Sequence, residues 1–276
     1  HTQSSAASDV YKRQQVSIVG GGISGALAAL YLGKSRVKTC LIDRGKPSQR
    51  LSNPYIGKTT SLNLSSIASL RDVGIWEDIK KNAHEFNEIY VWDAEGSSSV
   101  QFKAEEISRN DLGVIVHNNI ILESIYSKLE QISEVTLIEE ESLKEISQDQ
   151  NKIELTSDSG LRIASELLIG ADGSLSKVRD FSRIPIRTWS YEQLAIVSSV
   201  TTEVPLDKTA FQIFTDTGPI ALLPLMVGEN VASLIWSTDE AYGKKLLELD
   251  NDELCKELRL KTEDKFGDIS FYETIN

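Results

Sequence analysis

The chain has 276 residues, 40% of them apolar and 25% charged, with a net charge of −12. That length can bury one large core or two smaller ones, and the acidic excess argues against a nucleic-acid partner, whose phosphates it would repel. Cys40 and Cys255 fit no metal or redox spacing and read as buried or incidental thiols of a reducing compartment, no metal site is expected, and no apolar run reaches membrane-spanning length uninterrupted.

Residues 1–14, HTQSSAASDVYKRQ, are polar and aperiodic and lack the apolar centre of a signal peptide. They read as a non-native or disordered leader outside the fold. The interpretable pattern begins with VSIVGGGISGALAAL at 16–30. A buried parallel strand is predicted up to Val19, then a turn, then a small-residue helix. Gly20-x-Gly22-x-x-Gly25 fits a dinucleotide fingerprint. Gly20 would permit the tight turn, Gly22 would let a pyrophosphate approach the backbone, and Gly25 would let helix and strand pack closely. Ala29, one turn beyond Gly25, keeps the same helix face small. The helix N-terminus offers free N–H groups and partial positive charge to a phosphate. A second strand, VKTCLID, ends on Asp43, where such a fold needs an acceptor for a ribose hydroxyl. The turn alone leaves NAD and FAD both open.

A loop rich in Pro, Gly, Ser and Asn follows at 44–58. Helices are predicted at about 63–72 and 119–132, and a hairpin at 91–102 turns at Gly96. Strands at about 135–169 include a hairpin turning at Asp158-Ser-Gly160, and ELLIGADGSLSKVRD at 166–180 joins a strand to a polar helix start. From about 184 the strands lengthen and alternate in the manner of antiparallel sheet: LAIVSSV, AFQIF, IALLPL and NVASLIW. An acidic helical tail is predicted over 239–266. His84 and His117 show no metal spacing and read as structural, and Trp76, Trp92, Trp189 and Trp236 read as core residues.

The GADG at 170–173, with Ser174 and Arg179 after it, resembles the second dinucleotide motif of flavoprotein monooxygenases. The blocks 59–79, 89–102, 112–129, 189–200, 210–225 and 234–237, in that order over roughly 15–275, resemble the ubiquinone-biosynthesis hydroxylase family of FAD-dependent aromatic monooxygenases. The resemblance implies an α/β fold. In it a Rossmann-like FAD-binding domain (15–90 and 113–183) is interleaved with an antiparallel β-sheet substrate domain (91–112 and 184–276). It implies FAD held by Gly20, Gly22, Ile23, Ser24, Gly25, Asp43, Arg44, Asp172 and Gly173, and a substrate wall at Gly218, Pro219, Leu223 and Pro224. The implied activity is hydroxylation of a polyprenylated phenol with NAD(P)H and O2. No protein nucleophile is expected, because the cofactor carries the chemistry. The lipid-like substrate implies a cytoplasmic protein in peripheral contact with the inner membrane, and a quinone-biosynthesis complex is a further expected partner. Two other readings stay open. One is another oxidoreductase of the fold, either a soluble aromatic acid hydroxylase or a prenyl reductase. The other is a non-catalytic subunit.

The sequence departs from the family at several points. Lys58 stands where Arg is usual and lacks its planar fork, Asn119 stands where many relatives carry Arg, and Asp43 replaces the more frequent Glu. The family's third motif, a Gly-Asp with His, Pro and a Gly-Gln-Gly turn, is missing, and Gly267-Asp268 is not its equivalent. The expectation is a C-terminally truncated representative whose residues 1–276 alone bind FAD weakly and do not turn over.

Overall fold

The computed structural model describes residues 11–49, 57–228 and 230–272, with backbone only at residues 11 and 12. Residues 1–10 of the expected leader and 50–56 of the polar loop lie outside the described residues. The chain forms two compact units, His1–Leu51 with Leu122–Arg187, and Ser52–Ile121 with Thr188–Asn276.

The first unit is built on a four-stranded parallel sheet ordered 167–170, 16–19, 39–42, 135–138. Val16–Val19 and Thr39–Ile42 are buried along their whole length, the small polar Ser17 and Thr39 included, as parallel strands covered on both faces are. The helix Ile23–Lys34 buries Gly25, Ala26, Ala29, Leu30 and Gly33. At its end a Cβ on Gly33 would lie 2.6 Å from a methyl of Val135. A second sheet pairs Leu143–Gln148, Ile153–Ser157 and Arg162–Ser165 antiparallel, and the hairpin predicted at 158–160 is present. Tyr11–Arg13 adds to this sheet as a parallel strand against Arg162–Ala164, and Gln14 N–H donates to the Ala164 carbonyl at 2.9 Å. The exclusion of the leader is therefore corrected for residues 11–14. Their polar side chains hid a strand that is held by backbone pairing.

The second unit contains a seven-stranded sheet ordered 269–271, 193–202, 231–239, 218–224, 209–215, 88–93, 99–103. Four of its strands are those predicted from alternation, and 88–93 with 99–103 form the hairpin predicted around Gly96. The sheet is not wholly antiparallel, because Glu88–Asp93 runs parallel to Thr209–Phe214. Ile269–Phe271 adds an edge strand that three residues of sequence could not announce. One face is covered by the helices Glu240–Glu248 and Asn251–Lys261, with Leu246, Leu254 and Leu258 packed among Ile196, Val200, Ile213, Ile220, Leu222, Leu234 and Trp236. Asp250 and Glu253 form a capping box that starts the second of these helices, worth about 1 kcal/mol. Trp76, Trp92 and Trp236 are buried as expected, whereas Trp189 is 65% exposed in a segment without regular structure.

The division by compactness differs from the expected domain boundaries. A three-stranded sheet, Thr59–Leu62, Gly113–His117 and His84–Phe86, went unpredicted. Its Phe86 and Ile115 share a core with Ala210, Leu225 and Val231, so residues 57–90 and 113–121 group with the large sheet. Among the described residues no helix is long and apolar enough to cross a membrane, and no cluster of three or more His, Cys, Asp or Glu is disposed to hold a metal ion.

His117 is 2% exposed, and burial lowers its pKa below the ordinary 6.5. Burial likewise lowers that of half-buried His84. An unfolded chain protonates both near pH 6.5 while the folded chain resists, so stability is retained above that value and is lost as pH falls below it. Tm is expected to drop between about pH 7.5 and about pH 5.5, above the range where carboxylates titrate, and to drop less in His117→Gln. A flat Tm over that window would contradict neutral burial of these histidines.

Candidate cofactor site

The carboxyl ends of the parallel strands converge on one cleft of about 430 Å³, lined among others by Gly20, Gly22, Asp43, Arg44, Asp172 and Gly173. This is where an open parallel sheet binds ligands, beside the strand from which the connections run to opposite sides. Here that strand is Val16–Val19, followed by its neighbour Thr39–Ile42 on one side and flanked by Leu167–Gly170 on the other.

The three fingerprint glycines do three different things. Gly20 has φ +109°, and a Cβ there would lie 2.2 Å from the Ala171 carbonyl oxygen, so the turn is pressed onto the end of the GADG strand. A Cβ on Gly25 would lie 1.9 Å from the Gly20 carbonyl oxygen and 3.1 Å from Ala171 Cβ. Gly22 has φ −66° and ψ 179°, and nothing lies within 4 Å of a Cβ built on it. Two glycines are thus required by protein packing. The third faces open space, as a position reserved for a ligand would. The helix that Gly22 caps has no side-chain cap and no acidic residue in its first turn, so its N-terminal amides and partial positive charge are unopposed there.

Asp43 Oδ2 accepts from the Gly21 N–H at 2.5 Å, and Oδ1 accepts from the Gly45 N–H at 2.7 Å. The acid predicted as a ribose acceptor therefore also ties the glycine turn to the end of the second strand. Asp172 accepts from the Ser176 hydroxyl and, at 3.2 Å, from the Val178 N–H. It orients the start of the helix Lys177–Phe181 and also lines the cleft. Arg44 and Lys177 are the cations of the lining.

The cleft lining includes Gly20, Gly22, Asp43, Arg44, Asp172 and Gly173, while Ile23, Ser24 and Gly25 form the helix start beside it. Sequence reasoning missed Glu141, Ser142, Leu143, Leu175 and Lys177 of the lining. Lys177 could have been found from its place just after GADG. Glu141–Leu143 carry no signature and reach the cleft only because the strand Val135–Ile138 pairs with Thr39–Ile42.

The expected substrate wall lies on the strand Gly218–Pro224 of the second unit. Ile220 and Leu222 enter the helix-covered core. By alternation Pro219 and Leu223 lie on the opposite face with Ala221, whereas Pro224 falls on the helix side. Ala221 is in register with Gln212 and Ile235, and Gln212 with Val91. Gly218 has a packing role, because at φ +141° its Cβ would lie 2.4 Å from the Ser237 carbonyl oxygen.

Residues 13–274 match the FAD binding domain family FAD_binding_3. The chain belongs to that family. It is 30% identical to the ubiquinone biosynthesis monooxygenase COQ6 of Dictyostelium discoideum, over 88% of this chain and 56% of that protein. It is also 30% identical to the 3-demethoxyubiquinol 3-hydroxylase of Escherichia coli, over 88% of this chain and 62% of that protein. The FAD-domain chain thus spans little more than half the length of these curated relatives. Among solved structures it resembles PqsL of P. aeruginosa in complex with 2-aminobenzoylacetate, with TM-score 0.78 and 15% identity over 96% of this chain and 74% of that one. It also resembles the p-nitrophenol 4-monooxygenase PnpA of Pseudomonas putida, with TM-score 0.74 and 16% identity over 96% and 67%. At these identities the structural likeness establishes the fold.

Proposed function

We propose that the protein is an FAD-dependent monooxygenase that hydroxylates the aromatic ring of a polyprenylated phenol in ubiquinone biosynthesis. NAD(P)H supplies the electrons and O2 the oxygen: one oxygen atom enters the ring as hydroxyl, the other leaves as water, and the nicotinamide is oxidised. The observation that carries this reading is the cleft in which Gly22, Asp43 and Asp172 converge, in a chain whose relatives include a ubiquinone biosynthesis monooxygenase and a 3-demethoxyubiquinol 3-hydroxylase.

The residues fit the ADP half of FAD. The uncapped helix start at 22–25 would hold the pyrophosphate, Asp43 would accept from a ribose hydroxyl with its remaining lone pairs, and Asp172 with Gly173 would bound the far wall. When bound, the flavin supplies the redox chemistry of oxygen activation. The chain's part is to bind and orient it and to exclude water. Pro219 and Leu223 offer an apolar surface to the substrate ring. A lipid-like substrate favours peripheral membrane contact and membership of a biosynthetic complex.

The test is turnover of the complete reading frame with FAD, NAD(P)H and a prenylphenol under 18O2. The expected product carries one labelled oxygen on the ring. Oxidation of NAD(P)H that yields a reduced prenyl chain, or a product without label, would contradict the hydroxylase reading. Absence of turnover from a flavin-loaded protein would favour a non-catalytic subunit.

A further inference from the structure

Gly21, between the two glycines of the turn, is held on both sides of its backbone. Its N–H donates to Asp43 Oδ2 at 2.5 Å, and its carbonyl accepts from the Tyr126 hydroxyl at 2.9 Å. Tyr126 comes from the helix Asn118–Leu129, on the far side of the sequence from the fingerprint, and is 3% exposed. Burial, and then the negative charges of Asp43 and Glu139, push its phenol well above the ordinary value of 10. The hydroxyl therefore stays protonated, and a donor, at any physiological pH. A Cβ on Gly21 would lie 2.5 Å from that hydroxyl and 2.7 Å from Pro47 Cγ, so the ring and the turn meet without space for a larger residue.

The consequence lies in the next peptide. All described peptide bonds are trans, and in a trans peptide the C=O and the N–H point in opposite directions. A Gly21 carbonyl held towards the Tyr126 ring aims the Gly22 N–H away from it. Gly22 lines the cleft with open space at its Cα.

We infer that Tyr126 is a positioning residue for the cofactor's pyrophosphate: its hydroxyl fixes the 21–22 peptide so that the Gly22 N–H faces the ligand. This rests on the FAD reading above and adds to it a residue that touches no ligand. A phenylalanine would fill the same volume and leave the peptide free to rotate, with the Gly21 carbonyl unsatisfied.

The experiment is calorimetric titration of the complete reading frame, wild type and Tyr126→Phe, with FAD and separately with ADP, well below either Tm. Both ligands are expected to bind the variant about tenfold more weakly, by the same factor, because the lost contact acts on the moiety they share. Unchanged affinities with a lowered Tm would mean that Tyr126 is merely structural. That result overturns the inference and leaves FAD binding intact. A wild type that binds neither ligand overturns both. Should Tyr126→Phe fail to fold, the Gly22 amide resonance of 15N-labelled wild type decides. A large shift on adding ADP supports the inference, and an unmoved resonance overturns it.

Discussion

Replacing Gly25 by alanine is expected to cost the first unit about 3 kcal/mol and to lower its Tm by roughly 6–12 °C. The added methyl would sit 1.9 Å from the Gly20 carbonyl oxygen, far inside contact distance. Neither partner can yield easily. Gly20 is pinned by its N–H to the Ile42 carbonyl at 2.8 Å and stands at φ +109°, while Ala171 behind it donates its N–H to the Val19 carbonyl at 2.7 Å. Relief would require the helix Ile23–Lys34 to lift from the sheet, which would open the buried contacts of Ala26, Ala29 and Leu30. Thermal unfolding followed by circular dichroism measures the effect. A Gly25→Ala protein with the parent's Tm would mean that this helix does not rest on the turn as described.

Gly22→Ala, three residues away, is expected to do the opposite. Its backbone angles suit any residue, and no atom lies within 4 Å of the new methyl, so Tm should stay within about 1 °C of the parent. The methyl would instead occupy the path by which a pyrophosphate approaches the helix start. FAD and ADP are expected to bind about 100-fold more weakly, a loss of ~2.7 kcal/mol. Equilibrium titration of parent and variant checks this. Undiminished affinity in Gly22→Ala would mean that the phosphates lie elsewhere. The contrast between the two glycines separates a packing requirement from a ligand requirement within one helical turn.

The same contrast explains how much was legible in the sequence. Gly20, Gly22, Gly25 and Asp43 are spaced by local geometry, a turn and two adjacent strands, so their grouping could be read directly, and Asp172 could be read from its own strand-turn motif. Glu141 and Ser142 come to the cleft through sheet order alone, which no local pattern encodes. Tyr126 was hidden differently. It falls among Ile121, Ile125 and Leu129, the apolar stripe of its helix, and reads as core unless one knows that a carbonyl stands opposite its hydroxyl. The alternating strands after 184 were readable because every second residue, such as Ile220 and Leu222 or Leu234 and Trp236, enters the helix-covered core. Tyr11–Arg13 and Ile269–Phe271 were not, since a three-residue edge strand is defined by its partner's backbone and carries too few side chains to show a period. The parallel pairing of Glu88–Asp93 with Thr209–Phe214 joins segments over a hundred residues apart. It is likewise a property of topology.

The central claim is that the helix start at 22–25 and Asp43 grip the ADP half of FAD, and a crystal structure of the complete reading frame grown with FAD tests it most directly. A pyrophosphate oxygen is expected at about 3 Å from the Gly22 nitrogen, and a ribose hydroxyl at a similar distance from the Asp43 carboxylate. An ADP moiety bound outside this cleft, or one whose phosphates make no contact with the turn, would contradict it.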